Sequence, residues 1–190
     1  LSGARIVVDA THPFATLASD NIRAASLAVG ARCLRLARPV EALPKGIVPV
    51  ASIACAARFL SENPGRVLLT TGSKELVPYT RVADFAERFF VRVLPLPGAI
   101  TKCIDAGFSP SHVIGMQGPF TRELNEAMLR QVGAQWLVTK DSGTVGGTAE
   151  KLAAARAVGA RCIVVTRPAE GGGALSLREV EDALLREFAR

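Results

Sequence analysis

The sequence predicts an α/β fold in which parallel strands alternate with helices. Short, continuous apolar runs recur along the 190-residue chain, and such runs are typical of strands that are buried on both faces of a parallel sheet. Segments with helical spacing of their apolar residues lie between most of these runs. The connecting loops are short and contain glycine, proline, serine and threonine, which form the turns between strands and helices.

The first forty residues contain one strand–helix–strand unit. Arg5–Asp9 is a continuous apolar strand, and Phe14–Val29 has helical spacing with Gly30 as its stop signal. Cys33–Leu36 is the second strand. Residues 38–46 contain two prolines and a glycine without periodicity, so we expect a linker there.

The remainder of the chain repeats this pattern. The predicted strands are Ile47–Val50, Arg66–Thr70, Phe89–Leu94, Val113–Met116, Trp136–Thr139 and Cys162–Thr166. The first predicted helix of this part is capped by Ser52 and ends at Asn63-Pro64-Gly65. The other predicted helices are Ala99–Ala106, Thr121–Val132, Thr148–Val158 and Ser176–Phe188. The spacing of Ser176 and Glu179 predicts a capping box for the last helix.

Composition narrows the functional classes. The chain is 49% hydrophobic, but its longest apolar runs are far too short to cross a bilayer and no basic-then-apolar leader opens the sequence. We therefore expect a cytoplasmic protein without a membrane partner. The net charge is +6, yet the arginines are scattered and aromatic residues make up only 5% of the chain, which disfavours nucleic-acid binding. A positive field of this kind suits an anionic metabolite.

Cysteine and histidine usage predicts no metal site. Cys33, Cys55, Cys103 and Cys162 are widely spaced, and the chain has two histidines. Because metal sites need clustered ligands, we expect four buried, reduced thiols.

Five loops follow predicted strands, where ligands bind in an open parallel sheet. They are Asp9–Pro13, Thr70–Lys74, Gln117–Phe120, Lys140–Thr148 and Arg167–Gly173. Each alone is compatible with an ordinary turn. Their polar and charged side chains together favour ligand binding, and the glycine-rich segment Asp141–Thr148 would present unpaired N–H groups to an anion at the start of a helix.

Four ionisable residues in these loops are candidate catalytic groups: Asp9, His12, Lys140 and Asp141. Each has a structural alternative. Thr11 or His12 can cap the helix that Pro13 begins, and Lys140 with Asp141 can form a surface ion pair. A lysine before an anion-binding loop would also reinforce its positive potential.

Several of these motifs, in their order and spacing, resemble the precorrin-6A reductase family of corrin biosynthesis. They are Asp9-Ala-Thr-His-Pro-Phe-Ala15, Thr71-Gly-Ser73, Gln117-Gly-Pro-Phe120, Thr139-Lys-Asp-Ser-Gly143, Gly147-Thr148, Lys151-Leu152 and Arg167-Pro168. The resemblance implies reduction of a ring double bond of precorrin-6A, or of its cobalt-bearing counterpart, by hydride from NADPH or NADH. The partner would be a tetrapyrrole whose carboxylates suit the basic chain.

The resemblance leads us to assign ligand residues within the loops. For the cofactor we assign Thr11, Pro13, Thr71, Gly72 and Ser73. For the substrate we assign Gln117, Gly118, Pro119, Phe120, Ser142, Gly143, Gly146, Gly147 and Thr148.

The resemblance also implies two Rossmann-like domains with parallel sheets, the first incomplete. Residues 1–40 would be the C-terminal part of the first domain, 41–46 a linker and 47–190 the second domain. Family members carry an earlier strand and a Gly-Gly-Thr turn that resembles the seat of the cofactor pyrophosphate, and this chain, which begins at Leu1, has neither. A non-catalytic carboxylate- or nucleotide-binding module is therefore the alternative, and a methyltransferase-like or synthase enzyme of the same pathway is a third hypothesis.

Overall fold

The computed structural model describes residues 3–37, 43–142, 147–167 and 173–189 of the chain. Its helices and strands are, in chain order, β1 (Ile6–Asp9), α1 (Thr16–Ala28), β2 (Arg32–Arg35), β3 (Ile47–Val50), α2 (Ile53–Glu62), β4 (Val67–Leu69), α3 (Phe85–Arg88), β5 (Phe89–Val93), α4 (Pro97–Asp105), β6 (Val113–Gly115), α5 (Arg122–Val132), β7 (Trp136–Lys140), α6 (Thr148–Val158), β8 (Arg161–Val165) and α7 (Leu177–Phe188). The expected mixed α/β fold with parallel sheets is confirmed.

The chain forms two compact units. Unit 1 consists of Leu1–Val40 together with Arg167–Arg190, and unit 2 of Glu41–Thr166. The predicted second domain, 47–190, is therefore too long at its C-terminal end, because the last helix packs in unit 1. The predicted linker lies partly outside the described residues, which omit 38–42.

Unit 1 is built on two parallel strands. β1 and β2 pair in register from Ile6 opposite Arg32 to Asp9 opposite Arg35. Leu34 of β2 packs against Val180 and Ala183 of the amphipathic helix α7. The apolar face of α7 thus covers this short sheet, which explains why the C-terminal segment belongs to unit 1.

Unit 2 is a six-stranded, fully parallel sheet in the order β3-β8-β7-β4-β5-β6. Helices α5 and α6 pack against one face, where Leu68, Leu137 and Cys162 contribute to the core. On the other face, Phe59 of α2 makes an edge contact with Trp136 at 5.3 Å between ring centroids. Both faces are covered, as the continuous apolar strands predict.

The strand order of unit 2 contains a topological switch point between β4 and β7. After β4 the chain continues to β5 on one side, whereas after β7 it continues to β8 on the other. In open α/β sheets the loops that leave two such strands diverge, and ligands bind between them at the carboxyl edge; we refer to this position between the loops after β4 and β7 as the crevice.

The predicted helices and strands agree with the structure within a few residues, with two notable exceptions. Helix α1 begins at Thr16 rather than Phe14, and no side chain caps it. Neither Thr11 nor His12 is therefore an N-cap, and Pro13 precedes the helix. Residues 75–88, left without elements, contain a 3₁₀ turn at Tyr79–Arg81 and the short helix α3. The predicted caps at Ser52 and Thr121 and the capping box of Ser176 with Glu179 are confirmed.

Three features of the described residues bear on function. None of their helices has the length and apolar character that a bilayer crossing requires. No group of three or more histidine, cysteine or acidic side chains is arranged to hold a metal ion among them. All four cysteines are free thiols, but only Cys103 and Cys162 are buried, so the expectation of four buried thiols was wrong for Cys33 and Cys55.

Candidate functional site

Asp9, at the end of β1, lies at the centre of a hydrogen-bonded cluster in unit 1. Its carboxylate accepts hydrogen bonds from the backbone N–H of Thr11 at 3.0 Å and from the Thr11 hydroxyl at 2.7 Å. Arg35, the residue opposite Asp9 on β2, places Nη1 2.9 Å from the same oxygen. Ser19 of α1 contacts the Thr11 hydroxyl at 2.9 Å. The cluster ties the loop after β1 to both β2 and α1.

The environment of Asp9 holds its carboxylate in the ionised form. Burial opposes ionisation, since the residue is only 3% exposed. The hydrogen bonds from Thr11 and Ser19 and the charge of Arg35 outweigh that effect and lower the pKa of Asp9 below its ordinary value. A carboxyl group with a lowered pKa is a poor proton donor near neutral pH, so this geometry suits a structural role.

His12 and Pro13 complete the loop. The Nδ1 atom of His12 accepts a hydrogen bond from the backbone N–H of Phe14 at 3.3 Å, so the neutral imidazole carries its proton on Nε2. The backbone carbonyl of His12 accepts from Ala15 at 2.8 Å. Pro13 is buried, which makes it part of the packing beneath the loop.

At the switch point of unit 2, an ion pair joins the loops that follow β4 and β7. Lys140, the last residue of β7, places Nζ 2.7 Å from Oε2 of Glu75. The Lys140 side chain is 20% exposed and that of Glu75 is 55% exposed. The backbone N–H and hydroxyl of Thr70 both donate to the carbonyl of Val138. The ends of β4 and β7 are therefore joined by hydrogen bonds as well as by the ion pair.

The predicted cofactor residues of unit 2 lie in the loop after β4, one of the two strands at the switch point. Thr71, Gly72 and Ser73 directly follow β4 and are half-buried. Gly72 has a φ of +82°, and a Cβ atom there would meet nothing within 4 Å. This backbone conformation favours glycine, and the open space leaves the main chain accessible to a ligand.

The described residues between β7 and α6 are linked by hydrogen bonds. The Ser142 hydroxyl lies 3.0 Å from that of Thr148, and the backbone N–H of Ser142 donates to Thr148 Oγ1 at 3.2 Å. The backbone N–H of Asp141 donates to the carbonyl of Val165 and so extends the hydrogen bonding between β7 and β8. Gly147 precedes α6 with a φ of +64°. The predicted ligand residues Gly143 and Gly146 lie outside the described residues.

The loop after β6 contains the remaining predicted substrate residues. Gln117, Gly118 and Pro119 are exposed, and the Gly118–Pro119 peptide bond is cis. The ring of Phe120 is half-buried and stacks on the guanidinium of Arg92, with Cζ 3.9 Å from the ring centroid. The loop therefore rests on a buried cation that the sequence did not single out.

Two buried cations lie on the α5/α6 face of the sheet. Sequence reasoning assigned a site role to neither, although Lys151 stands in one of the motifs that carry the family resemblance. Arg92 of β5 is 6% exposed and Lys151 of α6 is 8% exposed. Arg92 donates to Asn125 Oδ1 at 2.8 Å, and Lys151 donates to the Thr139 hydroxyl at 3.3 Å. A charged residue inside an otherwise apolar strand such as Phe89–Val93 was the available signal.

Burial shapes the ionisation of both cations. It lowers the pKa of Arg92 to about 10. Burial also lowers the pKa of Lys151 to about 8; the nearby charge of Arg92 acts in the same direction, and Glu150 opposes it. Two positive charges that repel each other inside a protein favour an anionic partner.

The structure thus separates the predicted site residues into two groups. Asp9, Thr11, His12 and Pro13 lie together in unit 1. The residues after β4, β6 and β7 lie at the carboxyl edge of unit 2, with those after β4 and β7 on either side of one crevice.

These features define the class of protein: a doubly wound α/β protein with polar loops at its topological switch point. The chain belongs to the precorrin-6x reductase CbiJ/CobK family, whose family model matches residues 2–186.

Named relatives and a solved structure agree with this family. The chain is 40% identical over 166 residues to a cobalt-precorrin-6A reductase of Methanothermobacter thermautotrophicus, covering 86% of this chain and 54% of the relative. It is 34% identical over 190 residues to a cobalt-precorrin-6A reductase of Priestia megaterium, covering 97% of this chain and 74% of the relative. The solved structure of a CobK precorrin-6A reductase is similar, with a TM-score of 0.75 and 27% identity, covering 99% of this chain and 75% of that one. The chain thus spans about half to three quarters of the length of these proteins.

Proposed function

We propose that this chain takes part in the nicotinamide-dependent reduction of a macrocycle double bond of precorrin-6A or cobalt-precorrin-6A in cobalamin biosynthesis. The observation that carries the proposal is the family match over residues 2–186. Relatives named as cobalt-precorrin-6A reductases are 30–40% identical to this chain, and two named as precorrin-6A reductases are each 30% identical. The higher identities occur among the former, which supports the cobalt-bearing substrate.

The crevice of unit 2 is the position that we propose for the nicotinamide nucleotide. It lies at a topological switch point, the usual ligand position in doubly wound sheets, and the open main chain at Gly72 permits close approach of a ligand. Thr71, Gly72 and Ser73 would hold the cofactor through backbone N–H and hydroxyl groups. When bound, the cofactor supplies the hydride.

The residues of this chain would orient the reactants and provide the proton. Reduction of the double bond adds one hydride and one proton, and it leaves the nicotinamide oxidised. Lys140, held by Glu75, and Ser142, held by Thr148, present a cationic group and a hydroxyl at the crevice. A fixed cation stabilises negative charge that develops on the macrocycle during hydride transfer.

Among the four candidate catalytic residues, we assign Asp9 a positioning role and retain His12, Lys140 and Asp141 as candidate proton donors. The lowered pKa of Asp9 and its bonds to Thr11 and Arg35 support this division. His12 would donate from Nε2. Removal of a true general acid lowers the rate by about 10²- to 10⁴-fold, which separates the donor from residues that only bind ligand.

An anaerobic assay tests the proposal. The chain is mixed with cobalt-precorrin-6A or precorrin-6A and with NADPH or NADH, and nicotinamide absorbance is followed. We expect macrocycle-dependent oxidation of one nicotinamide, faster with the cobalt-bearing substrate. Tight binding of either ligand without turnover would favour a non-catalytic binding module instead.

A further inference from the structure

Arg92 is a buried cation without a carboxylate partner among the described residues. It is 6% exposed. Its hydrogen bonds are those from Nη1 to the Asn125 amide oxygen at 2.8 Å and to Met128 Sδ at 3.7 Å. A guanidinium has five N–H donors, and those on Nε and Nη2 have no acceptor among the described residues. Neither atom is among the fully buried ones that lack a partner, so both remain open to solvent or to a ligand. Burying a charge in this way is costly unless an anion compensates it.

The position of Arg92 places it at the ligand-binding edge of the sheet. Val91 of β5, Leu69 of β4 and Val138 of β7 lie opposite one another in the sheet. The residues that follow them, Arg92, Thr70 and Thr139, therefore form the next row, at the carboxyl ends of these strands. Leu68, Leu137 and Phe90 pack in the α5/α6 core. Alternation along the strands then directs all three residues of the row to that face.

The surroundings of Arg92 hold its guanidinium in a fixed orientation. Asn125 accepts from Arg92 and donates through Nδ2 to the backbone carbonyl of Thr121 at 2.7 Å. Phe120 covers one face of the guanidinium at 3.9 Å. Lys151 adds a second positive charge from α6 and is anchored on the Thr139 hydroxyl. A preorganised cation with unused donors, close to a second cation, is suited to bind an oxyanion.

We propose that Arg92, oriented by Asn125 and Phe120 and assisted by Lys151, forms an oxyanion-binding site on the α5/α6 face at the carboxyl edge of unit 2. The ligand group is a carboxylate or a phosphate. Its two sources, a tetrapyrrole side chain and the phosphates of a nicotinamide nucleotide, rest on the proposed function. This site is separate from the Glu75–Lys140 ion pair, because Lys140 follows Thr139 on β7 and points to the opposite face.

Substitution of Arg92 by methionine tests the site in the full chain. Dissociation constants are measured for uroporphyrin, a tetrapyrrole with acetate and propionate side chains, and for NADP⁺. We expect Arg92→Met to weaken one probe by about 10- to 100-fold, the loss typical of a charge-assisted hydrogen-bond pair. If Arg92→Met weakens uroporphyrin binding, the ligand group is a carboxylate. If it weakens NADP⁺ binding, the ligand group is a phosphate.

Arg122→Met is the matched control. Arg122 lies on α5 with its side chain 53% exposed and pairs with Glu126, so its loss changes the net charge equally without touching the site. The thermal midpoint without ligand should be unchanged or raised in Arg92→Met, because an uncompensated buried charge is removed. Should that variant fail to fold, Arg92→Lys keeps the charge but loses the planar fork, and the same weakening is expected.

Three outcomes would overturn the site. They are affinities of the Arg92 variant within twofold of the original chain, equal weakening by Arg122→Met, and no binding of either probe to the original chain. Failure of the proposed function is distinguishable from these. Arg92-dependent binding without any turnover would contradict the reductase proposal alone, whereas turnover with Arg92-independent binding would contradict the site alone.

Discussion

The Nζ atom of Lys140 lies 2.7 Å from Oε2 of Glu75, although the two residues are 65 positions apart in the chain. They meet because β4 and β7 are neighbours in the sheet: Lys140 is the last residue of β7, and Glu75 lies in the loop after β4. The pair therefore ties the loop after β4 to the end of β7 at the switch point and orients the lysine there.

Replacing Glu75 by glutamine should impair ligand binding more than stability. The pair is partly exposed, so its loss should reduce the free energy of unfolding by less than about 1 kcal/mol. Because Lys140 loses its orientation, we expect KM for the nicotinamide to rise by about two- to fivefold, which corresponds to the interaction energy of a partly exposed ion pair. Glu126→Gln, which removes the carboxylate that pairs with Arg122 at 2.7 Å and with Arg130 at 3.1 Å on α5, is the control and should leave KM unchanged. Equal effects of both variants would contradict the role of Glu75.

Asp9→Asn should destabilise the chain in a pH-dependent manner. The folded-state pKa of Asp9 is lowered from 3.8, so its ionised form stabilises the fold at pH values above 3.8 and this contribution is lost as the pH falls through the folded-state pKa. We expect a loss of about 1–3 kcal/mol at neutral pH, measured by denaturant unfolding. The difference from the original chain should shrink in acid. Asp20→Asn, which removes an exposed carboxylate on α1, should show no comparable loss.

Lys151 should cause the free energy of unfolding to rise with pH in the alkaline range. The Lys151→Met variant should lack this rise. The pKa of Lys151 is about 8 in the folded chain and 10.5 when unperturbed. Between these values the unfolded chain binds more protons, so the free energy of unfolding increases by up to about 1.4 kcal/mol per pH unit. Below pH 8 the lysine is charged in both states and the dependence vanishes.

The difference between the original chain and Lys151→Met isolates this effect, because other groups titrate equally in both. Burial raises the pKa of Cys162 to about 12, so that thiol lowers stability above pH 9 in each of them. Lys102→Met controls for the loss of an exposed lysine. Parallel stability curves for the original chain and Lys151→Met between pH 8 and 9 would be incompatible with a buried, charged Lys151.

Gly118→Ala should disturb the stack of Phe120 on Arg92. A Cβ atom at Gly118 would lie 3.0 and 3.1 Å from two carbon atoms of the Phe120 ring, so the ring must move. We expect weaker binding of the probe that depends on Arg92, with a small change in thermal midpoint because the loop is exposed. Gly98→Ala on α4 meets nothing within 4 Å. It should retain binding and raise stability by up to about 1 kcal/mol, the helix propensity of alanine over glycine.

Local sequence signals predicted the elements well because most residues of each strand of unit 2 are apolar. Residues 75–88 were missed since one 3₁₀ turn and a four-residue helix have no measurable periodicity. The start of α1 was misplaced because Thr11 has polar side-chain chemistry typical of a cap, yet its hydroxyl bonds to Asp9 and Ser19 instead.

Long-range relationships could not be predicted from the same signals. Helix α7 was assigned to the wrong unit because an amphipathic pattern shows that a helix packs, not which sheet it packs on. Lys140 was identified from its loop, but Glu75 became visible only with the strand order. Arg92 was counted among scattered arginines, because burial of a charge within an apolar strand is a property of the packed sheet.

The transfer of deuterium from the cofactor to the macrocycle tests the central proposal most directly. The chain is incubated with cobalt-precorrin-6A and a reduced nicotinamide nucleotide dideuterated at C4, and the product is analysed by mass spectrometry. The account predicts a reduced macrocycle with one deuterium more than the product formed with unlabelled cofactor. A reduced product without deuterium, or an unchanged macrocycle beside bound cofactor, would contradict nicotinamide-dependent reduction by this chain.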